Sequence, residues 1–202
     1  MNSRTPFALK GDIVHTPSFA EFTYYEDAYL VCQDARVAGI YRELPGRYRD
    51  IPVADHTGSL IIPGMCDMHL HAPQYPFRGL GQNIEKPDWD SWFDQYAFPE
   101  EKRYEDLDYA GRAYARLVGD LLQSTTTRAC IFATIHRPAT EHLMELLHAA
   151  GLCAYVGKVN MDRNSAPGLL ETTEETLAET RLWLARTAGK YSDVKPILTP
   201  RY

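Results

Sequence analysis

From Ile61 onward, short apolar runs alternate with longer amphipathic stretches, and this alternation constrains the fold more than any other feature of the chain. Strand and helix in turn are the signature of parallel βα units, because two parallel strands need a crossover between them. The first apolar run is Leu60-Ile61-Ile62-Pro63-Gly64-Met65-Cys66-Asp67-Met68-His69-Leu70-His71. Leu107, Ala110, Tyr114, Leu117 and Leu121 then recur at helical spacing and predict a helix from about Glu105 to Gln123. Ala129–Ala133 reads as a second strand, followed by a helix over roughly Ala139–Ala150 that turns Leu143, Leu146 and Leu147 inward and stops at Gly151. Cys153–Gly157 is the third strand. Thr172 and Glu175 have capping-box spacing, so a third helix should run to about Lys190 with Leu177, Leu184 and Ala188 on its apolar face. Val194–Leu198 is the fourth strand.

Residues up to about Leu60 read differently, as short β segments: Phe7–Val14, Ala28–Cys32 and Arg36–Tyr41, with Gln33-Asp34-Ala35 suited to a hairpin connection. The division expected is therefore a β region over 1–60 and a βα region over 61–202.

The chemistry concentrates at the end of the first apolar run. Side chains two apart in a strand share a face, so His69 and His71 should project together with Asp67, while Cys66, Met68 and Leu70 face the other way. A His-x-His pair can serve simply as hydrogen-bonded packing, but neutral imidazole is also the commonest metal ligand. The segment Ala72-Pro73-Gln74-Tyr75-Pro76-Phe77-Arg78-Gly79 cannot continue a strand, which puts both histidines at a strand's C-terminal end, where barrel enzymes place their catalytic groups.

Pro63-Gly64-Met65-Cys66-Asp67-Met68-His69-Leu70-His71 resembles the first barrel strand of the amidohydrolase superfamily, whose pattern is Pro-Gly-x-x-Asp-x-His-x-His. The next residues, Ala72-Pro73-Gln74-Tyr75, look more narrowly like the guanine deaminase family. So do Trp89–Phe93 with Tyr96–Pro99, Ser124–Thr127 with Phe132–His136, Gly157–Asp162, Thr172–Glu175 and Lys195–Tyr202. The resemblance implies an α/β chain carrying the first four strands of a (β/α)8 barrel, preceded by part of a small β-sandwich whose remaining strands come from a distant C-terminal segment. It implies a zinc ion, with iron possible, held by His69 and His71 and by further histidines and an aspartate on later strands. Gln74 and Arg201 would hydrogen-bond a purine and Tyr202 would pack on its ring, a position where phenylalanine is more usual in the family. The reaction implied is hydrolysis of guanine to xanthine and ammonia in purine catabolism, by a homodimer. A complete barrel takes ~250 residues, whereas about 140 follow Ile61. The expectation is that this chain alone is inactive, exposes apolar edges and tends to associate.

Other residues admit more than one reading. His136 sits near the predicted end of the second strand and is the local candidate for a third ligand, although its sequence block suggests a supporting position. Lys158 follows the third strand rather than the fourth, which argues against a carbamylated lysine bridging two metals. Trp89, Trp92, Phe93, Tyr96 and Phe98 fall in what reads as a long loop, which could cover a pocket, meet another subunit or form a satellite core.

Charge and cysteine usage narrow the partners. Twenty-one basic against 27 acidic residues, with no long basic run, argue against nucleic acid or anionic membrane and for a small ligand. No apolar stretch approaches the ~20 residues of a membrane span, and the first residues lack the apolar core of a secretion signal, so a cytoplasmic location is expected. Cys32, Cys66, Cys130 and Cys153 are scattered and read as small apolar packing residues. The alternatives to guanine are another aminated heterocycle of pterin or triazine type, or a non-catalytic half-barrel that binds metal or a partner chain.

Overall fold

The computed structural model describes residues 5–81 and 88–201. Two compact units meet in the sequence between Pro63 and Gly64. In the first, β1 (Phe7–Ser18), β2 (Glu21–Gln33), β3 (Arg36–Tyr41) and β4 (Val53–Ile61) form one sheet in the order β3-β2-β1-β4. The first three strands pair antiparallel and β4 joins β1 in parallel. Asp34 and Ala35 take positive φ values of 50° and 58° between the paired Gln33 and Arg36, which gives the tight hairpin a two-residue loop requires. Ala8, Val31 and Tyr48 are the buried centre of this unit.

One feature here differs from the sequence reading. The β1–β2 ribbon runs well past Val14 through Thr-Pro-Ser, with His15 paired to Thr23 and Ser18 to Glu21. Its outer part buries nothing, Phe19 being fully exposed, so no apolar alternation marks it. The described residues of the first unit form one sheet.

The second unit follows the strand-helix alternation. Its parallel sheet has the order β5 (Met65–His71), β6 (Thr126–Phe132), β7 (Cys153–Gly157) and β9 (Val194–Pro196). A two-stranded parallel pair joins β8 (Val159–Asn160) to β10 (Thr199–Pro200). The described residues between β5 and the first long helix are largely in short helical turns rather than loop. They include a 3-10 turn over Ala72–Phe77, α1 (Trp89–Trp92), a π turn over Phe93–Ala97 and α2 (Phe98–Lys102), and α3 (Leu107–Leu122) follows. Later helices are α4 (Arg137–Ala149) and α5 (Thr173–Thr187). None of the described helices is long and apolar enough to cross a membrane.

The long helices cover one sheet face. Tyr114 and Leu117 of α3, Leu143 and Leu147 of α4 and Trp183 of α5 pack with Ala129, Ile131, Ala154, Val156 and Val194 of the strands. Helix α4 ends in a Schellman motif: Gly151, at φ +73°, donates to the His148 carbonyl at 2.9 Å and Leu152 donates to that of Leu147 at 3.1 Å. The other sheet face is open. Cys66, Met68, Cys130, Cys153, Tyr155 and Lys195 line a shallow cavity of about 250 Å³ there, with Met68 72% exposed. The cysteines of this unit are therefore not core packing residues: Cys66 is exposed and Cys130 and Cys153 are half-buried.

Helix α5 packs Leu184 against the core as expected, but its most buried stripe is not the one its other apolar residues suggest. Thr176, Thr180, Trp183 and Thr187 are buried, whereas Leu177 is 47% exposed and Ala188 is exposed. The inward threonines are tolerated because their hydroxyls have partners. Asn160 Nδ2 donates to Thr176 Oγ1 and Thr180 Oγ1, each at 2.7 Å, and Thr187 Oγ1 donates to the Trp183 carbonyl. The capping box forms as expected, with Glu175 N–H donating to Thr172 Oγ1 at 3.2 Å and Thr172 N–H to Glu175 Oε2 at 2.9 Å. Thr172→Ala should cost about 1 kcal/mol of stability, read as a lowered urea midpoint, and Thr172→Ser should restore most of it.

Candidate active site

His69 and His71 lie at the C-terminal end of β5 and their Nε2 atoms face each other at 3.1 Å. The partner strand explains the orientation. His71 pairs with Phe132 at the end of β6, and the Phe132 ring stacks on His71 at 4.7 Å and sits 5.1 Å from His69. Strict alternation does not hold across the whole strand, because the β5–β6 register shifts between Asp67 and Leu70. Asp67 turns its carboxylate onto the His69 backbone N–H at 3.0 Å and does not line the histidine cleft, contrary to the simple face argument.

The cleft has a volume of about 660 Å³ and its walls include His69, His71, Gln74, Trp92, Phe93 and Arg201. Gln74 comes from the 3-10 turn after β5, and Arg201 follows β10, held by its backbone N–H to the Asn160 carbonyl at 3.1 Å. A third residue ties them together. Glu101 of α2, only 2% exposed, accepts from Arg201 Nη1 at 2.8 and 3.0 Å and from Gln74 Nε2 at 3.2 Å. Burial pushes the Glu101 carboxyl up, and the Arg201 charge opposes that shift. The Arg201 guanidinium also lies 5.4 Å over the Phe93 ring.

Burial, then the positive Arg201 and then His69, pull the His71 imidazole down to about 4, so it is neutral near pH 7 and keeps a lone pair for a ligand. Two nitrogens bound at 2.0–2.1 Å to a tetrahedral zinc are about 3.3 Å apart, and the 3.1 Å between the two Nε2 atoms is close to that. The donor chemistry and spacing thus fit two ligands of such an ion. Among the described residues no group of three His, Cys, Asp or Glu side chains is placed to hold a metal.

His136 does not join this cleft. It is the N-cap residue of α4, its Nε2 is buried without a partner, and it borders a separate hollow with Glu105, Glu171 and Glu179. Lys158 is fully buried and ion-paired to Glu171 at 2.9 Å, a structural arrangement remote from the His69–His71 pair in its contacts. Burial pulls the Lys158 ammonium down and Glu171 opposes it. The aromatic segment divides its work: Trp89, Trp92 and Phe93 line the cleft, while Phe98 packs with Ile135, Val159, Met161 and Leu169 in a satellite core. Tyr202 lies outside the described residues.

Sequence reasoning did not single out Glu101 or Phe132 as site residues. Phe132 belongs to a block shared with the resembled family, and its place opposite His71 in the parallel register could have marked it. Glu101 carries no such signal, since a glutamate in a short charged helix ordinarily faces water.

A parallel βα unit with two imidazoles converging at a strand's C-terminal end agrees with the family comparison: residues 60–197 match the amidohydrolase family, a family of hydrolases to which the chain belongs. Guanine deaminase of Rattus norvegicus is 45% identical over 143 residues, which are 70% of this chain and 31% of the rat protein. Guanine deaminase of Dictyostelium discoideum is 38% identical over 151 residues, 74% of this chain and 33% of that protein. The crystal structure of guanine deaminase from C. acetobutylicum with bound guanine superposes with a TM-score of 0.89 at 38% identity, covering 98% of this chain and 46% of that one. The chain therefore spans less than half the length of these relatives.

Proposed function

We propose that the protein carrying this chain hydrolyses guanine to xanthine and ammonia, a step of purine catabolism. The observation that carries this reading is the convergence in one cleft of His69, His71 and Gln74, from the end of β5 and the turn after it, with Arg201 from a distant part of the chain. Guanine deaminases among the relatives support it. His69 and His71 supply two imidazole ligands to a zinc ion, with iron as the other candidate, and such an ion provides the Lewis acidity that makes water a nucleophile near pH 7.

The chain's own residues bind and orient the ring. Phe93, Trp92 and Phe132 give the cleft flat apolar walls that suit a planar heterocycle and exclude water around it. Arg201, always charged and only a donor, suits the purine carbonyl, and Gln74 suits a neighbouring ring nitrogen. Two imidazoles converge among the described residues without a third ligand beside them, so these residues supply part of the centre; that this stretch is inactive alone and that the protein is a homodimer belong to the same proposal and rest on the family resemblance.

Ammonia release by the full-length gene product tests the proposal. Guanine should be deaminated far faster than aminated pterins or triazines at equal concentration. Release from one of those rings and none from guanine would replace the substrate assignment.

A further inference from the structure

We infer that Glu101 is a positioning residue that fixes which hydrogen-bonding edge of a ligand the cleft accepts. This rests on the reading of the cleft as a purine site. Glu101 is buried, comes from α2, and is the common partner of the two groups assigned to ring recognition, which arrive from the turn after β5 and from the residue after β10. A carboxylate held by an arginine can only accept hydrogen bonds. It therefore compels Gln74, which lines the cleft, to turn its NH2 toward Glu101, at 3.2 Å, and so directs the amide carbonyl oxygen away from Glu101, the end assigned here to the ligand. A glutamine amide in isolation could present either end, and the orientation is decided by its network.

The consequence is a matched pair of requirements. Arg201 only donates, so it selects a ligand carbonyl. Gln74, locked as an acceptor, selects a ring N–H. Together they read a lactam edge, a carbonyl beside an N–H, and reject an amidine edge, where a ring acceptor lies beside an amino group. Rejection is strong because the wrong edge opposes donor to donor and acceptor to acceptor in a partly buried site.

Hypoxanthine and adenine isolate this edge, since they differ at the 6-position and N1 and neither has the 2-amino group whose loss is the proposed reaction. Equilibrium dissociation constants of both are measured on the full-length gene product and on Glu101→Gln and Glu101→Asp, with melting temperatures to check folding. The parent should prefer hypoxanthine by about tenfold or more. In Glu101→Gln the new amide can donate to Gln74, allowing it to turn, and the preference should fall to within about threefold. Glu101→Asp remains acceptor-only and should keep the preference even if both ligands bind more weakly. Should Glu101→Gln fail to fold, Glu101→Asp decides: a retained preference supports the role and a lost one overturns it. A folded Glu101→Gln variant with the parental preference overturns the role of Glu101 while leaving the purine site standing. A parent that binds neither purine overturns both.

Discussion

Replacing His71 with alanine in the full-length gene product should reduce guanine turnover on the order of 10³-fold or more, the largest loss of any single substitution considered. Lewis-acid stabilisation is worth several kcal/mol of barrier, and about 1.4 kcal/mol is a factor of ten in rate. His71 is the better target of the pair because it is more enclosed than His69 and its ring is clamped against Phe132. Bound zinc, measured by elemental analysis after gel filtration, should fall with activity while the far-ultraviolet circular dichroism is unchanged. Loss of activity with the metal fully retained would move the ligand role elsewhere. His136→Ala provides the contrast: its ring is outside the cleft, so zinc content should stay at the parental level.

Trp183→Ala should destabilise the βα unit by about 3–5 kcal/mol, the range for removing a large aromatic from a core. Trp183 is fully buried in the main cluster, and its indole N–H has no partner, so what is lost is packing rather than a hydrogen bond. Leu177→Ala on the same helix should change stability by less than about 0.5 kcal/mol, because Leu177 is half-exposed. Urea midpoints followed by circular dichroism compare the two. A larger loss at Leu177 would mean that α5 packs through its leucines, as its sequence alone suggests.

That contrast shows where sequence patterns were informative. The βα alternation, the capping box at Thr172 and the stop at Gly151 follow from local chemistry and recur in the fold. The inward stripe of α5 does not, because Thr176 and Thr180 are satisfied in the core through Asn160, a residue outside the helix that its own periodicity cannot reveal. The exposed end of the β1–β2 ribbon was illegible for a related reason: it is held by ladder pairing without a buried face. Within the cleft, the two histidines were legible from spacing and position. Asp67 was misplaced because a register shift breaks the alternation on which the inference depended. Glu101 was invisible, since only tertiary structure brings it between Gln74 and Arg201.

The central claim is that His69 and His71 grip one metal ion at the mouth of the purine cleft. Anomalous diffraction at the zinc edge, from crystals of the full-length gene product grown with zinc, tests it most directly. A single strong peak about 2.1 Å from both Nε2 atoms is the expected result. A peak bound elsewhere, with the two imidazoles still hydrogen-bonded to each other, would contradict it.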